Sequence, residues 1–280
     1  MEFCHIAPIH NLELVKGRPA HLTLAHLIEK SDTYTAFYRD RGKGEINIMD
    51  NSAFEMYKQG RPMYNPDKLL EMAKRVKADY IVMSDYPNEP GDKTIDSAKI
   101  LAPRFKDEGF GTFFCPQSKI GDKEDLIDCW WWAAESDLVD YIGVSILAVP
   151  NAYGVEKGNK LQRFLSRWSF MDELEGCGIL QEARANGKKI HFLGMTDGPN
   201  EIDLVKEYWR FIDTWDSSAA VWAGLNGIRF DNSPSGLVYG KFEKEVDFFA
   251  EIDDNIDIVK VNMYHIDAAI DYFNRLYRLY

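Results

Sequence analysis

Eight short apolar runs, most of them separated by stretches with helical spacing, constrain this chain more than any other feature. In order they are EFCHIAP (2–8), HLTLAHL (21–27), EINIMD (45–50), DYIVMSD (79–85), GTFFCP (111–116), DYIGVSIL (140–147), KIHFLGM (189–195) and FIDTW (211–215). Their β-branched and aromatic residues, bounded by Gly, Pro, Asp and Asn, read as buried parallel strands. Between them lie NPDKLLEMAKRVK (65–77), TIDSAKILAPRFKDEG (94–109), KEDLIDCWWWAAES (123–136) and NEIDLVKEYWRF (200–211), all with helical patterns. The first has an asparagine cap and a proline at its first turn. Strand alternating with helix predicts a parallel α/β sheet, and eight such units predict closure into a (β/α)8 TIM barrel.

A chain of 280 residues suits one such barrel, here about 1–225, with a C-terminal helical extension over about 226–280. An open doubly wound sheet is the structural rival. No GxGxxG follows the first run, which counts against its dinucleotide-binding form. The longest interval, 148–188, reads as a loop, VPNAYGVEKGNK, then a helical stretch through RFLSRWSFMDELEGC. That loop is expected to leave the barrel at its catalytic face and to serve as a lid. After the last run come a glycine-rich excursion and two amphipathic segments between 241 and 280.

Four aspartates stand at or just past the ends of these runs: Asp50, Asp85, Asp197 and Asp216. A carboxylate at the C-terminal end of a barrel strand is where this architecture keeps its chemistry. A strand-final aspartate also commonly caps the next helix, and Asp197, in TDGPNEI, best fits that role. The other three have neighbours that fit together as a site. Phe54 follows small Ser52 and Ala53 and offers a stacking ring beside Asp50. Pro87 and Pro90 stiffen the loop behind Asp85. Gln117 brings an amide that both donates and accepts, and Gly143 permits close backbone approach. Acids, an amide, backbone donors and an aromatic ring suit a flat, polar nitrogen heterocycle.

The order of these motifs resembles the guanine transglycosylase family, which exchanges a guanine in nucleic acid for a 7-deazaguanine. MDNSAFE is similar to that family's DSGG(F/Y)Q segment, IVMSDYP to VMAFDE, and IDTWDSS to VDLFDCV. FCPQSK matches VQGG at the glutamine, IGVS is similar to GGLA, and IHFLGM to HYLMG. The resemblance runs from about residue 3 to 220, one motif per strand. It implies an eight-stranded β/α barrel, with Asp216 as nucleophile and Asp50 as general acid/base. It further implies that Asp85 and Gln117 read the base edge. Gly143 and Val144 contact the base through the backbone, and Phe54 and Met195 lie near its faces. Such an enzyme needs neither metal nor cofactor.

Two family features are missing. The tRNA enzymes carry a CxCxxC…H zinc site after the barrel and a PTR segment after the nucleophile. Here Cys4, Cys115, Cys129 and Cys177 are widely spaced, and no arginine follows Asp216 until Arg229. The chain is therefore closer to the zinc-less DNA-guanine transglycosylases of phages and bacterial genomic islands. DNA is expected over tRNA as substrate, with a free 7-deazaguanine base as the incoming group. The net charge of −12 argues against holding nucleic acid by bulk electrostatics, so a protein partner supplying a DNA-binding surface is also expected.

Three alternatives stand beside this expectation. One is a minimal tRNA-guanine transglycosylase, another a metal-dependent barrel hydrolase, and the third a non-catalytic partner subunit that binds nucleic acid. Widely spaced cysteines fit a reducing compartment, and neither a basic leader nor a long apolar run is present. A cytoplasmic protein with no membrane partner is expected. His26 and His191, on strand candidates, read first as satisfied core residues, and the tryptophans at 130–132 as packing. Arg39, Arg41 and Lys43 would contact phosphates only if they fold over the catalytic rim.

Overall fold

The computed structural model describes residues 1–156, 158–196, 198–232, 244–252 and 254–277. It begins with β1 (Glu2–His5), a 3-10 segment (Ile9–Val15), β2 (Ala20–Leu24), α1 (Ala25–Lys30) and α2 (Asp32–Arg39). Next come β3 (Ile46–Asp50), α3 (Ala53–Lys58), α4 (Pro66–Val76), β4 (Tyr80–Val82) and α5 (Gly91–Asp107). Then follow β5 (Gly111–Phe114), α6 (Lys123–Glu135), β6 (Tyr141–Ser145), α7 (Ala148–Ala152), α8 (Lys160–Gly176) and α9 (Ile179–Ala185). The remainder is β7 (Lys189–Leu193), α10 (Pro199–Leu204), a 3-10 turn (Lys206–Phe211), β8 (Thr214–Ser217), α11 (Ala219–Leu225), a 3-10 turn (Phe230–Asn232) and α12 (Ile256–Tyr277).

All eight strands run parallel in one sheet, in the order β1-β8-β7-β6-β5-β4-β3-β2, and β1 and β2 at its two ends lie side by side. The chain is a (β/α)8 barrel. The longer helices α4, α6 and α8 begin where a side chain satisfies a free backbone N–H. Asn65 accepts from Lys68 N at 2.8 Å ahead of Pro66, Asp122 from Asp125 N at 3.2 Å, and Asn159 from Gln162 N at 3.1 Å. Because strand side chains alternate, one set fills the lumen and the other packs on the helices. Tyr80, Phe113, Tyr141 and His191 stack inside the barrel, with Phe113 and Tyr141 5.6 Å apart and nearly parallel.

Several boundaries differ from the sequence expectation. The run HLTLAHL is not one strand: it turns at Leu24 into α1, so His26 is helical. The last strand begins later than FIDTW because Lys206–Phe211 coils into a 3-10 turn, which moves Asp216 inside β8. VPNAYGVEKGNK is partly helical, since α7 covers its start. Between 241 and 280 the described residues include one long helix, α12, preceded by irregular chain over 244–252. Its Val259, Met263, Ile266, Ile270 and Phe273 join the single hydrophobic core, while its body packs on α11 and β1. Trp130 is fully buried against Phe170 and Trp132 meets Phe114, so these two of the three tryptophans pack as expected. No helix among the described residues is long and apolar enough to cross a membrane.

Candidate active site

The C-terminal ends of the strands open onto a cavity of about 320 Å³. Asp50, Phe54, Asp85, Gln117 and Asp216 all line it, although they come from four different strands or the loops after them. Parallel register does this: Asp50 pairs with Leu24 and Asp216 with Cys4, so every strand end reaches the same face. A second lobe of about 410 Å³ adjoins the first, sharing Asp216, Phe54 and Trp222 and adding Met195, Lys160 and Arg163. Phe54 is 47 % exposed and stands where the lobes meet. Asp197 lies outside the described residues.

Asp216 is buried, and its Oδ1 accepts from His191 Nε2 at 2.9 Å and from Gly194 N at 3.2 Å. A carboxylate only accepts, so Nε2 carries the proton, leaving Nδ1 to accept from the Thr214 hydroxyl at 2.6 Å. Oδ2 of Asp216 takes no hydrogen bond among the described residues. Gly194 has a positive φ of 71°, and a Cβ there would fall 2.7 Å from Ile146 Cγ2. Only glycine turns the chain this tightly and still aims its N–H at Asp216.

Behind the sheet, Arg167 on α8 is wholly buried. It donates to Gly194 O at 2.9 Å, Val144 O at 3.1 Å and Glu201 Oε1 at 2.8 Å, and its guanidinium lies 4.6 Å from the Phe192 ring. Trp215 Nε1 also donates to Gly194 O, at 2.8 Å. Arg167 and Trp215 thus clamp the turn that holds the carboxylate. A lone arginine within an amphipathic helix gives no sequence signal for such a role.

Asp50 closes β3, and its Oδ2 accepts from Ser52 N at 2.8 Å. Burial, and then the nearby Glu55 carboxylate, push its pKa well above the ordinary range, against the pull of the Ser52 N–H. Glu55 is raised by burial too. Ser52 has φ 56°, the left-handed conformation, at the place where the similar family motif has glycine. His26 compensates. Its backbone N–H donates to Ser52 Oγ at 3.2 Å, and its Nδ1 lies 2.8 Å from the same oxygen. With Oγ accepting from the backbone, the hydroxyl proton goes to Nδ1. Burial holds the His26 pKa down at about 4, so that nitrogen stays free to accept.

Asp85 forms the floor. Asn51 Nδ2 donates to its Oδ1 at 2.8 Å and Gln117 Nε2 to its Oδ2 at 2.5 Å. Asn51 also donates to Met83 O at 2.7 Å, while its own oxygen accepts from Ala53 N at 2.8 Å. Burial raises the Asp85 pKa, and the two amide donors oppose the rise.

Gly143 and Val144 correct the sequence reading. Both sit within β6, below the cavity, whose wall here is Ser145 to Ala148. A Cβ on Gly143 would fall 2.8 Å from both Phe113 Cε2 and Leu193 Cδ1, so its lack of a side chain makes room for the lumen rings rather than for a ligand. Val144, next along the strand, faces the helices. Arg39, Arg41 and Lys43 precede β3, at the opposite end of the barrel from the cavity. Arg41 bonds Tyr38 O, Glu45 O, Val76 O and Lys77 O there, which makes it a structural tie. Sequence reasoning missed Phe248 and Trp222, which wall the cavity from after the last strand, and gave His191 no role. Among the described residues, no group of three or more His, Cys, Asp and Glu side chains is arranged to hold a metal ion.

No protein-family model matches the chain, and no curated protein matches it. Among solved structures, the citrate synthase SbnG is 14% identical with a TM-score of 0.48, covering 80% of this chain and 89% of that one. A variant of the same enzyme is 14% identical with a TM-score of 0.43, covering 76% and 84%. Similarity at this level carries no argument about what this barrel does.

Proposed function

We propose that this chain is a base-exchanging transglycosylase that replaces a guanine in DNA with a 7-deazaguanine derivative. The observation that supports this most is the pairing of two unlike carboxyl groups across one cavity. Burial, and then Glu55, push the Asp50 pKa well above the ordinary carboxylate range. Asp216 has one oxygen fixed by two N–H donors and the other without a hydrogen bond among the described residues. Two carboxyl groups in unlike surroundings across one cavity are the working parts of a retaining displacement.

Asp216 Oδ2 attacks the anomeric carbon as its bond to the guanine breaks, and Asp50 gives its proton to the departing base. A glycosyl-aspartate remains. The incoming 7-deazaguanine then gives a proton back to Asp50 and displaces Asp216. Asp85 supports base selection: two of its roughly four acceptor positions are taken by Asn51 and Gln117, which leaves capacity for ring and amino N–H groups. Phe54 provides a face for the flat ring. A base within a duplex must first leave its stack. A partner protein supplying basic surface suits a chain of net charge −12.

The test uses labelled guanine placed in duplex DNA and, separately, in tRNA. Purified protein and a 7-deazaguanine base are added, and label release is followed. Release from DNA alone is the expected result. Release from tRNA alone would replace DNA with tRNA as substrate, and no release from either would leave a missing protein partner or a binding role as the surviving readings.

A further inference from the structure

The two lobes of the cavity carry opposite charge. Asp50, Glu55, Asp85 and Asp216 line the first. The second is walled by Lys160, Arg163, Thr196, Ser217 and Ser218, and its single acid among the described residues is the shared Asp216. Arg163 is half-buried, and its guanidinium makes no hydrogen bond or ion pair among the described residues. Glu201, the acid whose field reaches it, is already held by Arg167 at 2.8 Å and by Thr196 N at 2.6 Å. One turn apart on α8, Arg167 donates from both terminal nitrogens and Arg163 from neither among the described residues. Taking a guanidinium partly out of water without a carboxylate beside it is unfavourable, and an entering anion relieves that cost.

We infer that this second lobe is an anion subsite, in which Arg163 takes a phosphate ester carried on the sugar that Asp216 attacks. The inference rests on the proposed transglycosylase reading and names the part of the substrate its second lobe receives. The shared Asp216 places the sugar at the junction of the lobes. The base then occupies the acidic lobe, where neutral N–H groups suit carboxylates, and the phosphate occupies the basic one. The planar guanidinium fork matches two phosphate oxygens. Arg163 is a positioning residue in this scheme, acting on the substrate away from the reacting atoms.

Calorimetric titration with ligands that have no base separates this subsite from the catalytic reading. The probes are 2-deoxyribose, 2-deoxyribose 5-phosphate as monoester, and a trinucleotide with a stable abasic centre as diester. In the unaltered protein the phosphate is expected to improve affinity over the bare sugar by about tenfold. Arg163→Met removes that advantage, Arg163→Lys keeps part of it, and Asp85→Asn leaves it intact. The ester that loses more to Arg163→Met identifies a free nucleotide or a strand as the source. Equal binding of sugar and sugar phosphates, or an Arg163→Met protein that retains the advantage, overturns the subsite. Loss of base exchange with sugar-phosphate binding preserved would count against the transglycosylase and not against the subsite.

Discussion

His191 Nε2 lies 2.9 Å from Asp216 Oδ1, on adjacent strands whose register sets His191 beside Thr214. The imidazole is wholly buried, stacked edge-on to Phe113 at 5.3 Å, and so cannot turn away. It fixes one oxygen of the carboxylate, while the other takes no hydrogen bond among the described residues. Replacing it with alanine leaves a buried acceptor short of a charge-assisted hydrogen bond, a loss of about 1.5–3 kcal/mol. The expected result for His191→Ala is a kcat lower by roughly ten- to a hundredfold with KM for the base little changed. Steady-state kinetics with saturating DNA decide it.

Asp216→Ala removes the proposed nucleophile altogether. The unaltered protein, mixed with DNA and denatured, is expected to show a covalent protein–DNA band, and the variant none. A variant that still forms the band, or still exchanges guanine at the ordinary rate, would contradict the assignment.

Asp85→Ala acts on base choice. It strips Asn51 and Gln117 of a shared acceptor and removes the carboxylate from the cavity floor. Leaving buried donors unpaired costs about 1–3 kcal/mol, so affinity for the incoming base should fall about ten- to a hundredfold. The discrimination against adenine-like bases should shrink with it. Competition assays between bases measure both, and undiminished selectivity would remove Asp85 from this role.

The acid role of Asp50 has a signed pH consequence. Its raised pKa means that the protonated form persists into less acidic solution, and the first displacement slows as pH rises through that value. Glu55→Gln removes a neighbouring negative charge, which favours ionised Asp50 and lowers its pKa. The alkaline limb of the kcat profile is therefore expected to move to lower pH in Glu55→Gln. An unmoved limb, or one displaced upward, argues that another group sets it.

His26 links stability to pH. Its folded pKa of about 4 lies below the ordinary value of 6.5, so protons bind the unfolded chain more readily. Stability from this group is complete above pH 6.5 and is lost as pH falls toward 4. Between pH 7 and 5 the loss amounts to about 2 kcal/mol. Urea unfolding of His26→Gln at the two pH values should show a smaller difference than the parent by about that amount. An equal difference would mean that His26 is protonated in the folded state.

Much of the barrel was written in local pattern. Eight apolar runs with intervening amphipathic stretches point to a parallel α/β fold, because helices must cover both faces of so many parallel strands. Closure into a barrel rather than an open sheet is decided by the pairing of the end strands. The strand-end acids were visible for the same reason: Asp50 and Asp85 follow runs too apolar to be anything but core. Boundaries were less clear where a strand turns directly into a helix, as at Leu24, since apolar residues continue across the join.

What the chain alone determined is therefore the repeat of strand and helix, and the placing of acids at the strand ends. What only the tertiary structure decided is which of those residues meet. Gly143 looked like an approach to a ligand, yet barrel closure fills its space with Phe113 and Leu193. His191 looked like core, yet the parallel register of β7 and β8 brings its Nε2 to Asp216. Arg167, 49 residues before Asp216 in the sequence, reaches the same turn from behind the sheet. Strand periodicity tells which face a side chain takes, but closure and register set its neighbours, and those depend on all eight strands at once.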